Sequence, residues 1–373
     1  MRSNYKIGDI VHSIDVRNSG LQCNNLLGLS MTKEFRPSTS NIVGTDLSKY
    51  KVVGFNEFAV DFMSAIRVHR MPIALNRTGN NIIVSPAYGV FAVNDENQVM
   101  PEFLMLWFRR SEFDRYADFK SDSAIRGGFD WEELCNTDIF VPLIDEQRRI
   151  VHDYQVITNR IALLRKMNQN LEEQADLRFY EYMSAVDGNE GHFSDIIKIM
   201  GGGTPSTTIN EYWGGNIPFF TPGDIDGVFC FSTAKTLTNK GLGNCSSKKF
   251  PARTSFITCR GTVGKVAMAG IPMAMNQTCY ALTGNEGYPD YFVYEFTKYF
   301  VASIKRKANG GVFDAITTKD FESEKATIPS VNSALEYERK VKPLFDMIFW
   351  NEQELCCLQE IQTLFMSESN KGA

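Results

Sequence analysis

The chain has 373 residues, 43% hydrophobic and 22% charged, with 39 Lys and Arg against 44 Asp and Glu, which is the composition of a globular protein and excludes a disordered, fibrous or membrane-spanning one. The length suffices for about two domains of roughly 100–200 residues each. No apolar run approaches the ~18 residues of a membrane span and Met1–Ser13 lacks the hydrophobic stretch of a signal peptide, so a cytoplasmic protein with no membrane partner is expected. Eight cysteines without a CxxC pair and only four histidines argue against a structural zinc site and for reduced, mostly buried thiols, with Cys356 and Cys357 as packing residues.

In chain order, one plan occurs twice. Residues 1–141 hold short alternating apolar runs (Lys51–Asp61, Asn81–Val93) broken by Gly, Pro and Asn, the texture of short strands. Pro101-Glu102-Phe103-Leu104 then opens an amphipathic helix running towards Phe113, a Gly127-Gly128 pair follows, and a short strand ends at Pro142. Residues 193–328 repeat this texture, with Pro289-Asp290-Tyr291-Phe292 opening a helix towards Phe300, the Gly310-Gly311 pair, and a strand ending at Pro329. The landmarks recur at spacings of 188, 183 and 187 residues, which reads as a duplication with small loop insertions.

Each proline is followed by a long helical segment. In the first, Ile150, Tyr154, Ile157, Ile161, Leu164, Asn168, Leu171 and Ala175 keep a 4-3 spacing. In the second, Tyr337, Val341, Leu344, Ile348, Asn351, Leu355 and Leu358 do the same, followed by Gln362 and Phe365. This is coiled-coil periodicity in both copies, and the economical arrangement is an antiparallel pair with pseudo-twofold symmetry. If facing positions sum to 519, every seam position meets another and Asn168 meets Asn351, a pairing that costs stability and fixes the register. Pro343 predicts a kink or a fresh start in the second helix. A helix of about 39 residues spans roughly 58 Å at 1.5 Å per residue, so separation of the two β-rich domains would be set by helix length.

Charge is distributed unevenly. No acidic residue occurs between Asp226 and Glu286, whereas Lys235, Lys240, Lys248, Lys249, Arg253, Arg260 and Lys265 fall inside. Between Asp61 and Asp95 there is likewise no acid, and Arg67, Arg70 and Arg77 lie there. Basic residues gathered in one segment create a local field that attracts phosphates despite a net charge of −5. The same segments carry groups suited to base edges: Asn244, Ser246, Ser247, Arg260, Thr262, Asn276, Gln277 and Thr278 in the second, and Asn76, Arg77, Asn80 and Asn81 in the first. Lys248, Lys249 and Arg253 are expected at phosphates, and Lys235 and Lys265 are expected to contact DNA as well. Arg260, Thr262, Asn276 and Gln277 are expected nearer the bases, and Arg67, Arg70 and Arg77 are the first-domain counterparts.

No catalytic constellation accompanies these groups. Arg260-Gly261-Thr262-Val263-Gly264-Lys265 is not a P-loop, because Cys259 stands where its first Gly belongs and Val266 where Ser or Thr is required. Gly201-Gly202-Gly203-Thr204 has no GxGxxG frame. There is no Asn-Pro-Pro-aromatic string for amino methylation and no metal-binding His pair, and Pro289-Asp290 with Glu295 and Lys298 is out of frame for a nuclease. The expectation is a binding protein without catalytic or metal-ligating residues.

Two similar β-rich domains each followed by a long helix, with Gly202-Gly203-Thr204-Pro205-Ser206, Tyr212-Trp213-Gly214-Gly215-Asn216-Ile217-Pro218-Phe219 and Arg260-Gly261-Thr262-Val263-Gly264, resemble the specificity subunit of type I restriction–modification systems. Val141-Pro142-Leu143, Glu146-Gln147-Arg148 and Asn170-Leu171-Glu172-Glu173-Gln174 resemble its central spacer. The first domain departs from the pattern: it has Lys6-Ile7-Gly8-Asp9-Ile10 alone, and Val84-Ser85-Pro86-Ala87-Tyr88 where the second has Asn276-Gln277-Thr278-Cys279-Tyr280. The resemblance implies an α+β fold with a first target recognition domain at 1–142, a central spacer helix at 143–188, a second recognition domain at 189–329 and a C-terminal spacer helix at 330–373. It implies one half of a split double-stranded DNA site read by each domain, and two methyltransferase subunits docked on the helices, with restriction/translocase subunits added. S-adenosylmethionine, ATP and Mg would belong to those partner subunits, with no cofactor bound by this chain. The methylated base would flip into a partner, so this chain would stabilise distorted DNA. Two other readings stay open: the same kind of subunit in a type IIG-like system, and a coiled-coil scaffold whose β domains bind proteins.

Overall fold

An aspartate at the third position of a four-residue helix anchors the start of each repeat. In the structure, a computed structural model describing residues 3–38, 44–63, 69–123, 129–307 and 315–368, the Asp9 carboxylate accepts the Lys6 amide at 2.8 Å and the Asp195 carboxylate accepts the His192 amide at 2.7 Å. Each tightens a turn whose amides would otherwise lack acceptors. Strand β1 (Ser3–Lys6), helix α1 (Ile7–Ile10) and strand β2 (Val11–Ile14) thus have counterparts in β11 (Gly188–His192), α6 (Phe193–Ile196) and β12 (Ile197–Gly201). Lys6-Ile7-Gly8-Asp9-Ile10, which stands alone in the sequence reading, is therefore the structural equivalent of His192-Phe193-Ser194-Asp195-Ile196. The glycine pairs Gly127-Gly128 and Gly310-Gly311 lie outside the described residues.

The chain divides into two units, Met1–Asn159 with Ile361–Ala373, and Arg160–Glu360. In unit 1 the further strands are β3 (Leu27–Leu29), β4 (Phe35–Pro37), β5 (Lys51–Val53), β6 (Phe58–Val60), β7 (Ile73–Leu75), β8 (Ile82–Val84), β9 (Gly89–Val93) and β10 (Asp138–Val141). Four of them form a sheet of order β2-β9-β6-β7, while β1 pairs with β10, β3 with β4 and β5 with β8. Helices α2 (Pro101–Phe108), α3 (Ser111–Ser123) and α4 (Trp131–Asn136) follow β9. The core is aromatic: Phe58 stacks on Phe91 at 4.8 Å between centroids, and Phe108 meets both rings edge-on.

In unit 2, β13 (Trp213–Phe220), β14 (Phe229–Cys230), β15 (Thr236–Leu237), helix α7 (Asn239–Gly243), β16 (Ser255–Thr258), β17 (Val266–Ala269), β18 (Ala274–Met275), β19 (Cys279–Gly284), helices α8 (Asp290–Lys307) and α9 (Thr318–Ser323), and β20 (Lys325–Pro329) complete the domain. Its main sheet has the order β12-β19-β16-β17-β14. Registers match those of unit 1: Ser255 faces Leu282 and Met268 as Phe58 faces Phe91 and Leu75. The difference is β14, a fifth strand added parallel to β17 (Phe229 opposite Met268, Cys230 opposite Ala269). A second sheet, β15-β13-β18, packs beside it.

Long helices α5 (Ile144–Ala185) and α10 (Val331–Glu368) contribute residues to both units. In unit 2 they run antiparallel: Asn351 Nδ2 donates to Asn168 Oδ1 at 2.8 Å, Tyr182 and Ser333 hydroxyls meet at 2.9 Å, and Arg160 holds Glu354 through two bonds at 2.7 and 2.8 Å. Between these lie buried Leu164, Ala175, Tyr337, Val341 and Ile348. In unit 1 the same two helices bring Tyr154 and Phe365 to 6.1 Å. Helix α10 does not restart at Pro343 but runs through it, with Pro343 on the exposed side of the helix, where the hydrogen bond its ring removes is least costly.

The helix expected from Pro101 to Phe113 is two helices. Nearly every side chain of α2 is buried, and continuation along one axis would carry Arg109 and Arg110 into the core. The chain turns there instead, leaving Arg110 over the Trp107 ring at 5.9 Å and Arg109 within 3.2 Å of the Tyr154 hydroxyl. In unit 2 the corresponding helix α8 is unbroken, because Lys298 is met by Glu172 and Asp176 of α5.

Side chains of the long helices fasten each β domain through backbone groups. Buried Gln147 accepts the Met100 amide at 2.9 Å and donates to Gln98 and Pro142 carbonyls. Glu338 accepts the amides of Tyr291 and Phe292 at the start of α8, and Glu352 accepts those of Val228 and Phe229 at 2.7 and 2.6 Å. Burial pushes the Glu338 carboxyl up to about 7 and that of Glu352 up to about 8, against the opposing pull of these bonds.

Candidate nucleic-acid interface

The antiparallel order of β12, β19 and β16 sends three connections to one end of the unit 2 sheet: 202–206 after β12, 259–264 between β16 and β17, and 276–278 before β19. Glycine makes their approach possible. A Cβ on Gly202 would stand 2.1 Å from the Asn276 carbonyl oxygen, and one on Gly203 would stand 2.2 Å from Ser246 Oγ. Across this contact the Thr204 hydroxyl donates to the Gln277 side-chain oxygen, and Ser246 Oγ donates to the Gly202 carbonyl at 3.3 Å.

Each loop is fixed by its own polar side chains. Asn276 Oδ1 accepts the amide and hydroxyl of Thr278 at 3.1 and 2.9 Å, so Asn276 holds the turn that presents exposed Gln277. The 259–264 turn is closed by the Thr258 hydroxyl, which donates to the Thr262 carbonyl and accepts the Lys265 amide at 3.0 Å. Gly261 and Gly264 adopt φ of 78° and 80°, conformations that disfavour a side chain. Arg260, Thr262 and Lys265 are exposed on this turn.

Trp213 extends the set. Its indole donates to the Ser206 carbonyl at 3.1 Å, and the Lys235 ammonium lies 5.6 Å from its ring centroid. Ser247 Oγ accepts the Met275 amide at 3.0 Å, and exposed Lys248 and Lys249 follow it along the chain that runs beside β18. The structure therefore gathers Lys235, Arg260, Thr262, Lys265, Asn276 and Gln277 around one set of loops, with Lys248 and Lys249 adjoining. Beneath them Cys259 and Cys279 are buried and burial raises both thiols, that of Cys279 to about 12, so they pack as protonated groups. Of the eight cysteines three are buried, Cys357 is exposed and the rest are half-buried, fewer buried than the sequence suggests; Cys357 faces away from the helix seam.

Arg253 does not join this group. It precedes β16, at the opposite end of the strand from Arg260, where its amide donates to the Ala269 carbonyl at 2.7 Å and its guanidinium lies over Tyr291 at 5.6 Å.

In unit 1 the connection matching 259–264 is 61–72, between β6 and β7. Arg67 lies outside the described residues; Arg70 is exposed on this connection. Arg77 follows β7 at the other end of the sheet, where Glu102 meets it at 2.8 Å, Asn56 accepts from it and the Phe55 ring lies 4.7 Å away. Asn76 is fully buried and holds its turn through the Val53 and Asn80 carbonyls. Thr204 and Trp213 are the interface members that the charge-based reading passed over, although both stand in the Gly-Gly-Thr-Pro-Ser and Tyr-Trp-Gly-Gly strings.

Among the described residues no group of His, Cys, Asp and Glu could hold a metal ion, and no helix is long and apolar enough to cross a membrane. The exposed polar and basic loops suit an extended anionic partner better than an enclosed substrate.

Residues 187–336 match the family model described as the type I restriction modification DNA specificity domain. The chain is 33% identical over 141 residues to the type I restriction enzyme MjaIX specificity subunit of Methanocaldococcus jannaschii, covering 36% of this chain and 33% of that protein. It is 28% identical over 187 residues to the HindI specificity subunit of Haemophilus influenzae, covering 48% and 40%. The matched regions thus span between a third and two fifths of these relatives' length. A crystal structure of a type I restriction-modification system S subunit from M. genitalium is similar in fold, with a TM-score of 0.59 at 13% identity over 98% of this chain and 95% of that one.

Proposed function

Taking residues 187–336 as a type I restriction modification DNA specificity domain, we propose that the chain is the non-catalytic specificity subunit of a type I restriction–modification complex. The observation that carries the reading is the convergence of Thr204, Arg260, Thr262, Lys265 and Gln277 at one end of the unit 2 sheet, on loops whose glycines allow close backbone approach. Arg and Gln side chains offer bidentate contacts to guanine and adenine edges, while Lys235, Lys248 and Lys249 supply the phosphate term. Unit 1, built on the same strand order, reads the other half of a split site through the 61–72 and 85–88 connections.

Methyltransferase subunits dock on the helix pair in this reading, and restriction/translocase subunits join them. Support comes from the outward apolar side chains of unit 2, Leu163, Met167, Met347 and Trp350, the last 65% exposed. Such a surface on a paired helix is suited to further helix packing. S-adenosylmethionine, ATP and Mg belong to those partners. The test is methylome sequencing of a methylation-free host carrying this chain with its neighbouring methyltransferase gene, against the methyltransferase alone. A split methylated motif that requires this chain supports the reading; no new motif, with the methyltransferase active beside another specificity subunit, removes it.

A further inference from the structure

We propose that a cavity between α5 and α8 takes up the guanidinium of an arginine side chain on the methyltransferase subunit docked along α5, an inference that rests on the specificity-subunit reading above. The cavity measures about 520 Å³ and is lined by residues of unit 2 alone, far more room than a single water needs. Glu295 of α8 lines it, is 1% exposed, and keeps Oε1 without a hydrogen-bond partner. A buried acceptor left without a donor is costly. Three carboxylates meet there, Glu295 with Glu172 and Asp176 of α5, and a single cation faces them. That cation is Lys298, whose ammonium donates to Glu172 at 2.9 Å and to Asp176 and is thereby committed. Burial holds the Glu295 carboxyl well above the usual carboxylate range, with Lys298 opposing and Asp176 and Glu172 adding to the effect. The free chain therefore keeps a proton there that an arriving cation displaces. The other charged groups of the lining, Asp226, Lys265 and Lys305, are exposed at its rim.

Aromatic rings select among cations. Phe179 and Tyr299 stand 6.0 Å apart in the wall, and Tyr180 lies 5.8 Å from Tyr299. A planar guanidinium stacks on such faces and offers its donors in a fixed fork to carboxylates, as a compact ammonium does not. Ile225, Val266 and Val301 line the rest of the wall and suit the apolar stem of a long side chain. The wall reaches the surface at Tyr180, which is 46% exposed, and Leu177, one turn earlier on α5, is 64% exposed. An apolar helix face thus adjoins the opening. A docked polypeptide answers both features at once, whereas a free cation answers only the carboxylates.

The test has two arms. In the first, the full chain is titrated with N-acetyl-arginine amide and with its citrulline counterpart, which keeps the shape and loses the charge, by saturation-transfer NMR. Saturable binding of the arginine compound is expected, about tenfold or more tighter than that of the citrulline compound, and weakened to the same degree by Glu295→Gln. In the second, the methyltransferase subunit from the neighbouring gene is titrated with the parent chain, with Glu295→Gln and with Ala302→Trp, which fills the cavity from α8. Each substitution is expected to weaken assembly by about tenfold or more, with Glu295→Gln deciding if Ala302→Trp does not melt as the parent does. Equal binding of the two compounds, saturable binding of neither, or assembly unchanged by Glu295→Gln would each overturn the proposal. Failure of the parent chain itself to assemble would remove the specificity-subunit reading, and this proposal with it.

Discussion

Glu352 offers a sharp test of how the second β domain is held to its helices. Its side chain is 7% exposed and each carboxylate oxygen accepts one amide, those of Val228 and Phe229. Glu352→Ala leaves both amides buried without acceptors, at about 1–3 kcal/mol each. With ~2–4 °C per kcal/mol for a unit of this size, the melting temperature of the unit should fall by roughly 4–24 °C. The pH dependence separates burial from hydrogen bonding. Burial places the folded carboxyl at about 8 against 4.5 for the free group, so between these values the folded chain keeps a proton that the unfolded chain has released. The stability linked to that proton is complete below 4.5 and is lost as pH rises through about 8, an upper bound of ~5 kcal/mol. Glu352→Gln does not titrate. The stability advantage of the parent over this variant, measured by urea unfolding from pH 5 to pH 9, should therefore shrink as pH rises. Glu338 titrates in the same direction but is common to both proteins and cancels in the difference. An advantage that grows with pH would show that the two amides, not burial, set the ionisation, and would refute the reasoning.

Further outcomes follow from the geometry. Lys248→Ala should weaken binding to every DNA sequence and reduce the salt slope by about one unit, whereas Arg260→Ala should cost ~1–3 kcal/mol at one base position in a binding-site selection. Arg253→Ala, at the other end of β16, should leave the salt slope unchanged in the same titration. Gly202→Ala drives a Cβ into the Asn276 carbonyl and should impair site selection more than Lys248→Ala does. Joint replacement of Asn168 and Asn351 by Leu should raise the melting temperature, because Asn168 Nδ2 is buried without a partner, and should broaden the register reported by cysteine crosslinks along the two helices.

The helix pair was legible because its signal is local and periodic. A 4-3 spacing interrupted by one Asn in each copy leaves a single alignment in which the two amides meet, and Asn168 and Asn351 do meet. The β domains were legible only in texture. Their strands are two to eight residues long, and pairings such as Phe58 with Phe91 or Ser255 with Leu282 join residues far apart in sequence, which no local pattern records. Grouping Arg253 with Arg260 followed sequence proximity. Strand geometry argues otherwise, since four residues of β16 at ~3.3 Å each carry the chain from one end of the sheet to the other. Arg77 went the same way, separated from the 61–72 connection by β7. Gln277 and Asn276 illustrate a finer division: adjacent residues of similar chemistry, of which one closes the turn and the other is displayed by it.

The pairing of the first strand of each domain with its last has a consequence for how such a chain can change. Ser3 lies opposite Val141 and Gly188 opposite Pro329, so entry and exit of each β domain are neighbours across a single ladder, and everything between is a closed excursion. A domain with that property can be exchanged for another of different length and loops while the two splice points stay where they were. Such an exchange leaves the junctions with α5 and α10 as they are.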